Sequence, residues 1–285
     1  MRRGLASLII GAQIKAIDFD WPKSFPIAEA DVKAFVIGAQ IVDIKRRAKV
    51  LLIELDTKHS LVIHLKMTGQ LVYRADDDTV RFGAGHPNNS LVAELPDKST
   101  RVIFSLTDGK LFFNDQRKFG WVKLFPSVEV PNIDFFKKVG PEPLADDFTT
   151  ADFLNRLKKR PNSTIKAALL DQTVIAGVGN IYADESLFAA KIHPASRVVN
   201  IPDTKLKQLY KELRAVLLLS IEKGGSTDRN YVNAEGKPGS YLTFAKVFRK
   251  NGQPCPRCGT IIEKIRVAGR GTHVCPNCQI IEGNK

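Results

Sequence analysis

Residues 255–278 read CPRCGTIIEKIRVAGRGTHVCPNC. Cys255 and Cys258 are separated by two residues, as are Cys275 and Cys278, and 16 residues part the two pairs. Two residues between thiolates fit a tight turn that points both sulfurs at one tetrahedral ion. The intervening stretch is long enough for a hairpin that returns the second pair. The spacing predicts one structural Zn2+ held by Cys255, Cys258, Cys275 and Cys278. An iron–sulfur centre or two redox pairs are the other chemistries it allows. Four thiolates fill the shell and leave no position open for a substrate, so the ion is structural. His273, inside the hairpin, is then a phosphate contact or a surface residue.

These four are the chain's only cysteines, which excludes a disulfide framework spread through the fold. Around them the sequence is basic. From Ala245 to Lys285 eight Lys or Arg face two acids, a net +6. The whole chain of 285 residues carries +13. Such an excess points to a polyanionic partner, most simply nucleic acid, and makes the finger a candidate clamp. A merely solvated zinc-stapled tail is the alternative. Hydrophobic residues at 44% and charged residues at 26% exclude wholesale disorder.

Upstream, 148–243 has helical texture. Asp152 starts a short helix that ends before Pro161. Ser163 or Thr164 caps a second with Ile165, Leu169 and Leu170 buried, and a third follows Asn180. The longest runs from Asp203 to Lys223, with Leu206, Leu209, Leu213, Val216, Leu217 and Ile221 at i, i+3, i+4 spacing, and Gly224-Gly225 stops it. Residues 224–243 are polar and glycine-rich and read as a mobile loop. Residues 35–125 read as antiparallel β structure, with strands in 49–55, 61–67, 101–106, 110–114 and 120–125. Asp108-Gly109 marks a hairpin, and 76–99 reads as a loop. Proline and acids without periodicity in 126–147 read as a linker. The expected organisation is α+β: an antiparallel β-sandwich domain at 1–125, the linker, a helical domain at 148–243 and the zinc finger at 244–285.

No apolar run reaches the length of a membrane span. The opening MRRGLASLIIGA has some secretory-signal character, but its apolar run is short. An amphipathic helix with Leu5, Leu8 and Ile9 on one face is the simpler reading, and the protein is taken as intracellular.

Two further stretches suggest contact with a nucleic acid. GVGN at 177–180 joins two helices, where glycines permit close backbone approach and a helix start offers free amides to a phosphate. It lacks the preceding strand and third glycine of a dinucleotide site, and a packing turn is the alternative. DQRKFG at 115–120 sets Arg117 and Phe119 on one side of a strand end, and Met67 ends a neighbouring apolar strand. These three could enter a DNA stack as wedges, or Met and Phe could be core.

Together these parts resemble a family. IKAALLDQTVIAGVGNIYADESLFAAKIHP resembles the helix-two-turns-helix motif of the formamidopyrimidine-DNA glycosylase and endonuclease VIII family. The finger with AGRGTH between its pairs is similar to that family's zinc finger. RRAKVLLIEL, HLKMTG, DQRKFG, GPEPL and GGSTDRNYVN match in order, nearly over the whole chain, and favour the formamidopyrimidine branch. The resemblance implies a β-sandwich and a helical domain with DNA in the cleft between them. It also implies flipping and excision of oxidised purines such as 8-oxoguanine and formamidopyrimidines, and strand nicking by β,δ-elimination. By motif, Lys49 contacts phosphate and donates the proton for β-elimination. Met67, Arg117 and Phe119 fill the gap left by the flipped base, with Arg117 facing the orphaned cytosine. Lys166 and Asn180 grip phosphates, Arg270 binds phosphate and serves δ-elimination, and 224–243 covers the flipped base. The implied setting is a monomer on damaged double-stranded DNA, without a membrane, in the bacterial cytoplasm and associated with the nucleoid.

One departure bears on the chemistry. The family opens, after Met removal, with Pro-Glu-Leu-Pro-Glu and a few more residues; this chain opens MRRG. The expectation is that the proline amine, the Schiff-base nucleophile, and the following glutamate acid are absent from these 285 residues. About nine helical residues would span about 13 Å, so nothing at Met1 stands in for them. Three readings follow. The first is a bifunctional glycosylase whose true start lies upstream. The second is a catalytically silent protein that binds damaged or abasic DNA. The third is a weak lyase using Lys49 or another lysine.

Overall fold

The computed structural model describes residues 1–225 and 241–283 and divides into two compact units. The first covers Met1–Lys137; the second covers 138–225 and 241–283 among the described residues.

The N-terminal unit is a sandwich of two antiparallel sheets. Its strands are β1 (Ile14–Phe19), β2 (Ile41–Arg47), β3 (Val50–Leu55), β4 (His59–His64), β5 (Gly69–Ala75), β6 (Arg81–Gly85), β7 (Thr100–Leu106), β8 (Gly109–Asp115) and β9 (Trp121–Pro126). One sheet runs β1-β7-β8-β5-β6 and the other β2-β3-β4-β9. Inward residues alternate along each strand, as a sandwich requires: Leu51, Ile53 and Leu55 from β3 meet Leu71, Phe104 and Phe113 in one core. Helix α1 (Arg2–Ile9) buries Leu5 and Ile9 in that core, as its amphipathic pattern predicts. A second short helix, α2 (Glu29–Phe35), precedes β2.

Strands β1, β2 and β5 are additions to those expected from the sequence, and two further stretches differ from it for one physical reason. Strands β3 and β4 are apolar on both faces, so their outer residues need cover. Residues 127–132 form a 3-10 helix followed by α3 (Asp134–Lys138). From this stretch Val130, Ile133, Phe135 and Phe136 pack on Val50, Leu52 and Val62. The expected loop 76–99 contains β6 and a 3-10 turn at Asn89–Leu91, which lays Leu91 on Val72 and Phe112 of the other sheet. The far part of the expected linker folds on the second unit: the Gly140 N–H donates to Gln172 O (2.7 Å), and the Ala176 N–H donates to Pro141 O (2.9 Å).

The second unit packs α4 (Thr150–Lys158), α5 (Ile165–Leu170), α6 (Asn180–Ala189), α7 (Asp203–Glu222) and α8 (Tyr241–Phe244) with a hairpin of β10 (Glu263–Val267) and β11 (Arg270–Val274). A capping box between Thr149 and Asp152 starts α4, and the Thr164 hydroxyl caps α5. Leu206, Leu209 and Leu213 of α7 meet Leu187 of α6 in one core. Leu217 packs partly against the same core, while Ile221 at the end of the stripe is exposed, as is Leu218 beside it. Of the loop expected at 224–243, residues 226–240 lie outside the described residues.

Candidate nucleic-acid interface and zinc centre

One end of the sandwich gathers several of the sequence-predicted residues. Val50 pairs with His64, His64 with Trp121, and Gly69 with Asp115. These registers bring Lys49, in the turn before β3, to the same end as the 65–68 and 116–119 loops. Met67 is 50% exposed and Phe119 54%. Both side chains are therefore at the surface, not in the core. The Arg117 guanidinium stacks 4.7 Å from the Phe119 ring centroid, which couples the cation to the wedge.

Both loops are built around Asp115, whose side chain is fully buried. Its carboxylate accepts the Thr68 hydroxyl and the backbone N–H groups of Arg117 (3.2 Å), Phe119 (2.8 Å) and Gly120 (2.6 Å). One acid thus ties the Met67 loop to the Arg117–Phe119 loop. Gly69 closes the first of them: a Cβ there would lie 2.3 Å from Leu65 O, so only glycine fits. Arg101, itself buried, pairs with Asp20 and donates Nε–H to Asp115 O (3.0 Å). The sequence reading quoted DQRKFG but did not assign Asp115 this task.

His64 was also missed. Its Nδ1 accepts the Lys66 backbone N–H (2.9 Å), which leaves the ring proton on Nε2. Burial, with the Lys66 and Lys49 ammoniums, pushes its pKa down to about 4. The ring is therefore a neutral donor at physiological pH, flanked by two lysines.

In the second unit, Gln172 braces the turn between α5 and α6. Its Nε2 donates to Leu170 O (3.0 Å) and Val178 O (3.1 Å), and its Oε1 accepts the Gly177 N–H (2.9 Å). This positions the start of α6, where Gly179 provides no side-chain cap for the first N–H groups of the helix. Asn180 opens the helix and donates Nδ2–H to Gly271 O (3.0 Å), which joins it to the finger hairpin. Arg270 is exposed beside the two-residue turn Ala268-Gly269, where Gly269 has φ +72°.

Lys166 departs from its expected place. Its side chain is fully buried, with Nζ at 2.5 Å from Asp184 Oδ1, 2.7 Å from Thr272 Oγ1 and 3.3 Å from Gly271 O. Three acceptors saturate the ammonium, so it cannot reach a phosphate in this arrangement; it bolts α5 and α6 to β11. Burial lowers its pKa, and Asp184 opposes that shift. His273 is also neither a phosphate contact nor a surface residue. It is buried, and its backbone N–H and Nδ1 lie 3.0 and 3.3 Å from Asp184 Oδ2. Glu185, the next residue, accepts the backbone N–H groups of Lys246 (2.8 Å), Val247 (2.9 Å) and Phe248 (2.8 Å). Two buried acids in the middle of α6 thus hold the hairpin and the chain leading into it.

The four cysteine sulfurs all lie within 4.8 Å of one another. Three of the separations are Cys255–Cys278 at 3.9 Å, Cys258–Cys275 at 3.5 Å and Cys258–Cys278 at 3.4 Å. Tetrahedral Zn2+ with Zn–S bonds of about 2.3 Å needs sulfurs about 3.8 Å apart, so the donor set fits one zinc. Hydrogen bonds from Asn277 and Thr260 bring the Cys258 thiol down to about 5, while burial pushes Cys278 up to about 12. A divalent cation overrides the second effect and makes all four thiolates. The site is structural, and Gln279 secures it to the helices: its side chain accepts the Cys275 N–H (3.0 Å) and donates to Ile192 O (2.9 Å).

Comparison with known proteins gives three family matches. The formamidopyrimidine-DNA glycosylase N-terminal domain matches residues 1–122, and the H2TH domain of the same glycosylase matches 139–231. The zinc finger found in FPG and IleRS matches 252–280. The formamidopyrimidine-DNA glycosylase of Herpetosiphon aurantiacus is 40% identical over 282 residues, covering 98% of this chain and 96% of the relative. That of Bacillus subtilis is 39% identical over 283 residues, with the same coverages. Among solved structures, the Lactococcus lactis Fpg complex with abasic-site DNA superposes with a TM-score of 0.84 at 34% identity, covering 98% of this chain and 96% of that one. MutM in complex with carbocyclic 8-oxo-G DNA gives 0.83 at 34% identity, with the same coverages.

Proposed function

The chain belongs to the formamidopyrimidine-DNA glycosylase family, and on that premise we propose that it recognises oxidised purines and abasic sites in duplex DNA by flipping the nucleotide out of the stack. The observation that carries this reading is the tip of the sandwich. Met67, Arg117 and Phe119 stand exposed on two loops that share one buried carboxylate. Flipping costs a few kcal/mol, and a preorganised wedge that refills the stack offsets it. Arg117, bearing five N–H donors, is suited to the base left without its partner.

Around the wedge, Lys49 and the neutral His64 donate to the phosphates flanking the lesion. Asn180, the α6 N-terminus and Arg270 supply a second grip. Lys49 is the proton donor for β-elimination and Arg270 serves δ-elimination. The protein works as a monomer in the bacterial cytoplasm, on the nucleoid. Among the described residues no helix is long and apolar enough to cross a bilayer.

The covalent step is a separate proposal. Cleaving the glycosidic bond by Schiff-base chemistry needs an amine at C1′ and an acid for the departing base. The test is release of 8-oxoguanine and borohydride trapping on DNA, measured for residues 1–285 with and without the N-terminal segment of the Bacillus subtilis relative placed before them. Release and trapping by either polypeptide support the glycosylase reading. No release by either, with lesion binding intact, favours the silent-binder reading.

A further inference from the structure

A cavity of about 530 Å3 opens on the second unit where α6, α7, α8 and the Cys255–Cys258 turn meet. Its volume lies in the range of ligand pockets. Phe188, Val216, Leu219 and Phe244 give it an apolar floor. Two carboxylates line it and both are engaged: Glu185 by three backbone N–H groups, Glu212 by Gln208 at 2.6 Å. Two cations stand at its rim. The Arg257 guanidinium lies 4.3 Å from the Phe188 ring centroid and donates to Phe188 O (3.1 Å), which fixes it while leaving donors over. The Lys246 side chain is exposed and makes no ion pair among the described residues.

The cavity continues over α7. Ala215 lines both it and a shallower groove of about 830 Å3 bordered by Lys207, Lys211 and Leu218. The small side chain makes a saddle between the two. Leu218 beside the saddle is 54% exposed. From Lys207 to Leu219 the helix rises about 18 Å, the length of five or six extended residues. The track is cationic at one end, apolar at the other, and cationic again at the cavity rim. Duplex DNA does not match it, since a phosphodiester backbone has no apolar group for the floor. The cavity also lies at the zinc-turn end of the finger. Arg270 is at the opposite end of β11, about 14 Å along the strand.

We propose that this track docks an acidic peptide segment of a partner protein that ends in bulky apolar residues. Its acids run along Lys207 and Lys211, its apolar end crosses Ala215 into the cavity, and its terminal carboxylate meets Lys246 and Arg257. Charge complementarity and the length of the track carry this assignment. The occupant touches α6, α7 and the finger together, so a partner held here travels with the DNA-bound protein without competing for the DNA-facing turn.

The test is fluorescence anisotropy with the full chain, zinc-loaded, and the labelled probe peptide Asp-Glu-Asp-Glu-Leu-Phe with a free C-terminus. Saturable binding at about 10–100 μM is expected, with affinity unchanged by a saturating abasic duplex. Ala215→Arg, at an exposed helix position, blocks the saddle, and Lys246→Glu reverses the rim charge. Each weakens binding about tenfold or more, while zinc content and melting temperature stay as in the parent. A Lys-for-acid version of the probe does not bind. No saturable binding, binding untouched by both substitutions, or displacement of the probe by duplex DNA overturns the proposal.

Discussion

Lys166 Nζ lies 2.5 Å from Asp184 Oδ1, and both side chains are closed to solvent. A buried pair of this kind tolerates joint replacement better than the loss of one partner. Lys166→Met alone strands a carboxylate beside His273 and is expected to cost about 3–5 kcal/mol in urea unfolding; Lys166→Met with Asp184→Asn, which removes the stranded charge and keeps an acceptor for the His273 N–H, recovers most of it. If Lys166 instead gripped a phosphate, its removal would reduce the salt slope of DNA binding by about 0.9. The buried pair predicts an unchanged slope for the double variant.

Asp115 tests the wedge in another way. Asp115→Asn keeps the shape but removes the charge that holds three backbone N–H groups and a hydroxyl. A stability loss of about 2–3 kcal/mol is expected, as for hydrogen bonds to a buried charged group. The larger effect falls on recognition: preference for abasic over intact duplex drops, while affinity for intact duplex, set by phosphate contacts, is retained. Unchanged preference would remove Asp115 from the account.

Metal analysis should give one zinc per chain. Stripping it with a strong chelator, or replacing Cys275 by Ser, releases the hairpin that carries Arg270 and the anchor from Gln279 to Ile192. DNA affinity and salt slope both fall, while far-ultraviolet circular dichroism keeps the signal of α4–α7. Full affinity in the metal-free protein would contradict a structural role for the finger in binding.

His64 gives a pH signature. Its pKa is held near 4 in the folded protein, below the ordinary value of 6.5. Between those values the unfolded chain binds the extra proton. Its contribution to stability is therefore complete above pH 6.5 and is lost as pH falls toward 4. At pH 5 the loss amounts to about 1 kcal/mol after allowance for partial exposure. The difference in unfolding free energy between pH 7.5 and pH 5 should shrink by that amount in His64→Gln. Equal differences in the two proteins would mean the imidazole is not held neutral.

Strands β3, β4, β7, β8 and β9 were legible in the sequence because their apolar runs stand out and the Asp108-Gly109 turn is distinct; β1, β2 and β5, with charged or polar residues interleaved, were not. The zinc site was legible because four thiolates at that spacing have few other uses. The covering pieces at 81–91 and 127–138 were not, because turns of three to six residues carry no periodicity to read. Nor was the burial of Lys166, Asp184, Glu185 and His273, since charged side chains default to the surface. The available signal was YADESLFAA, in which two acids interrupt an otherwise apolar helix and so need partners inside the fold. Met67 and Phe119 show the reverse: apolar residues at strand ends suggest core, and only the Asp115-centred turn sets them outward.

The most direct test of lesion recognition is equilibrium binding of residues 1–285 to two duplexes that differ at one position, a tetrahydrofuran abasic analogue against an intact base pair. It is measured in the parent and in Met67→Ala/Phe119→Ala, both exposed positions whose truncation leaves the core intact. The account predicts tighter binding of the abasic duplex by the parent, by about tenfold or more, and near-equal binding of both duplexes by the double variant. Equal affinity of the parent for the two duplexes, or a preference that survives the double substitution, would contradict it.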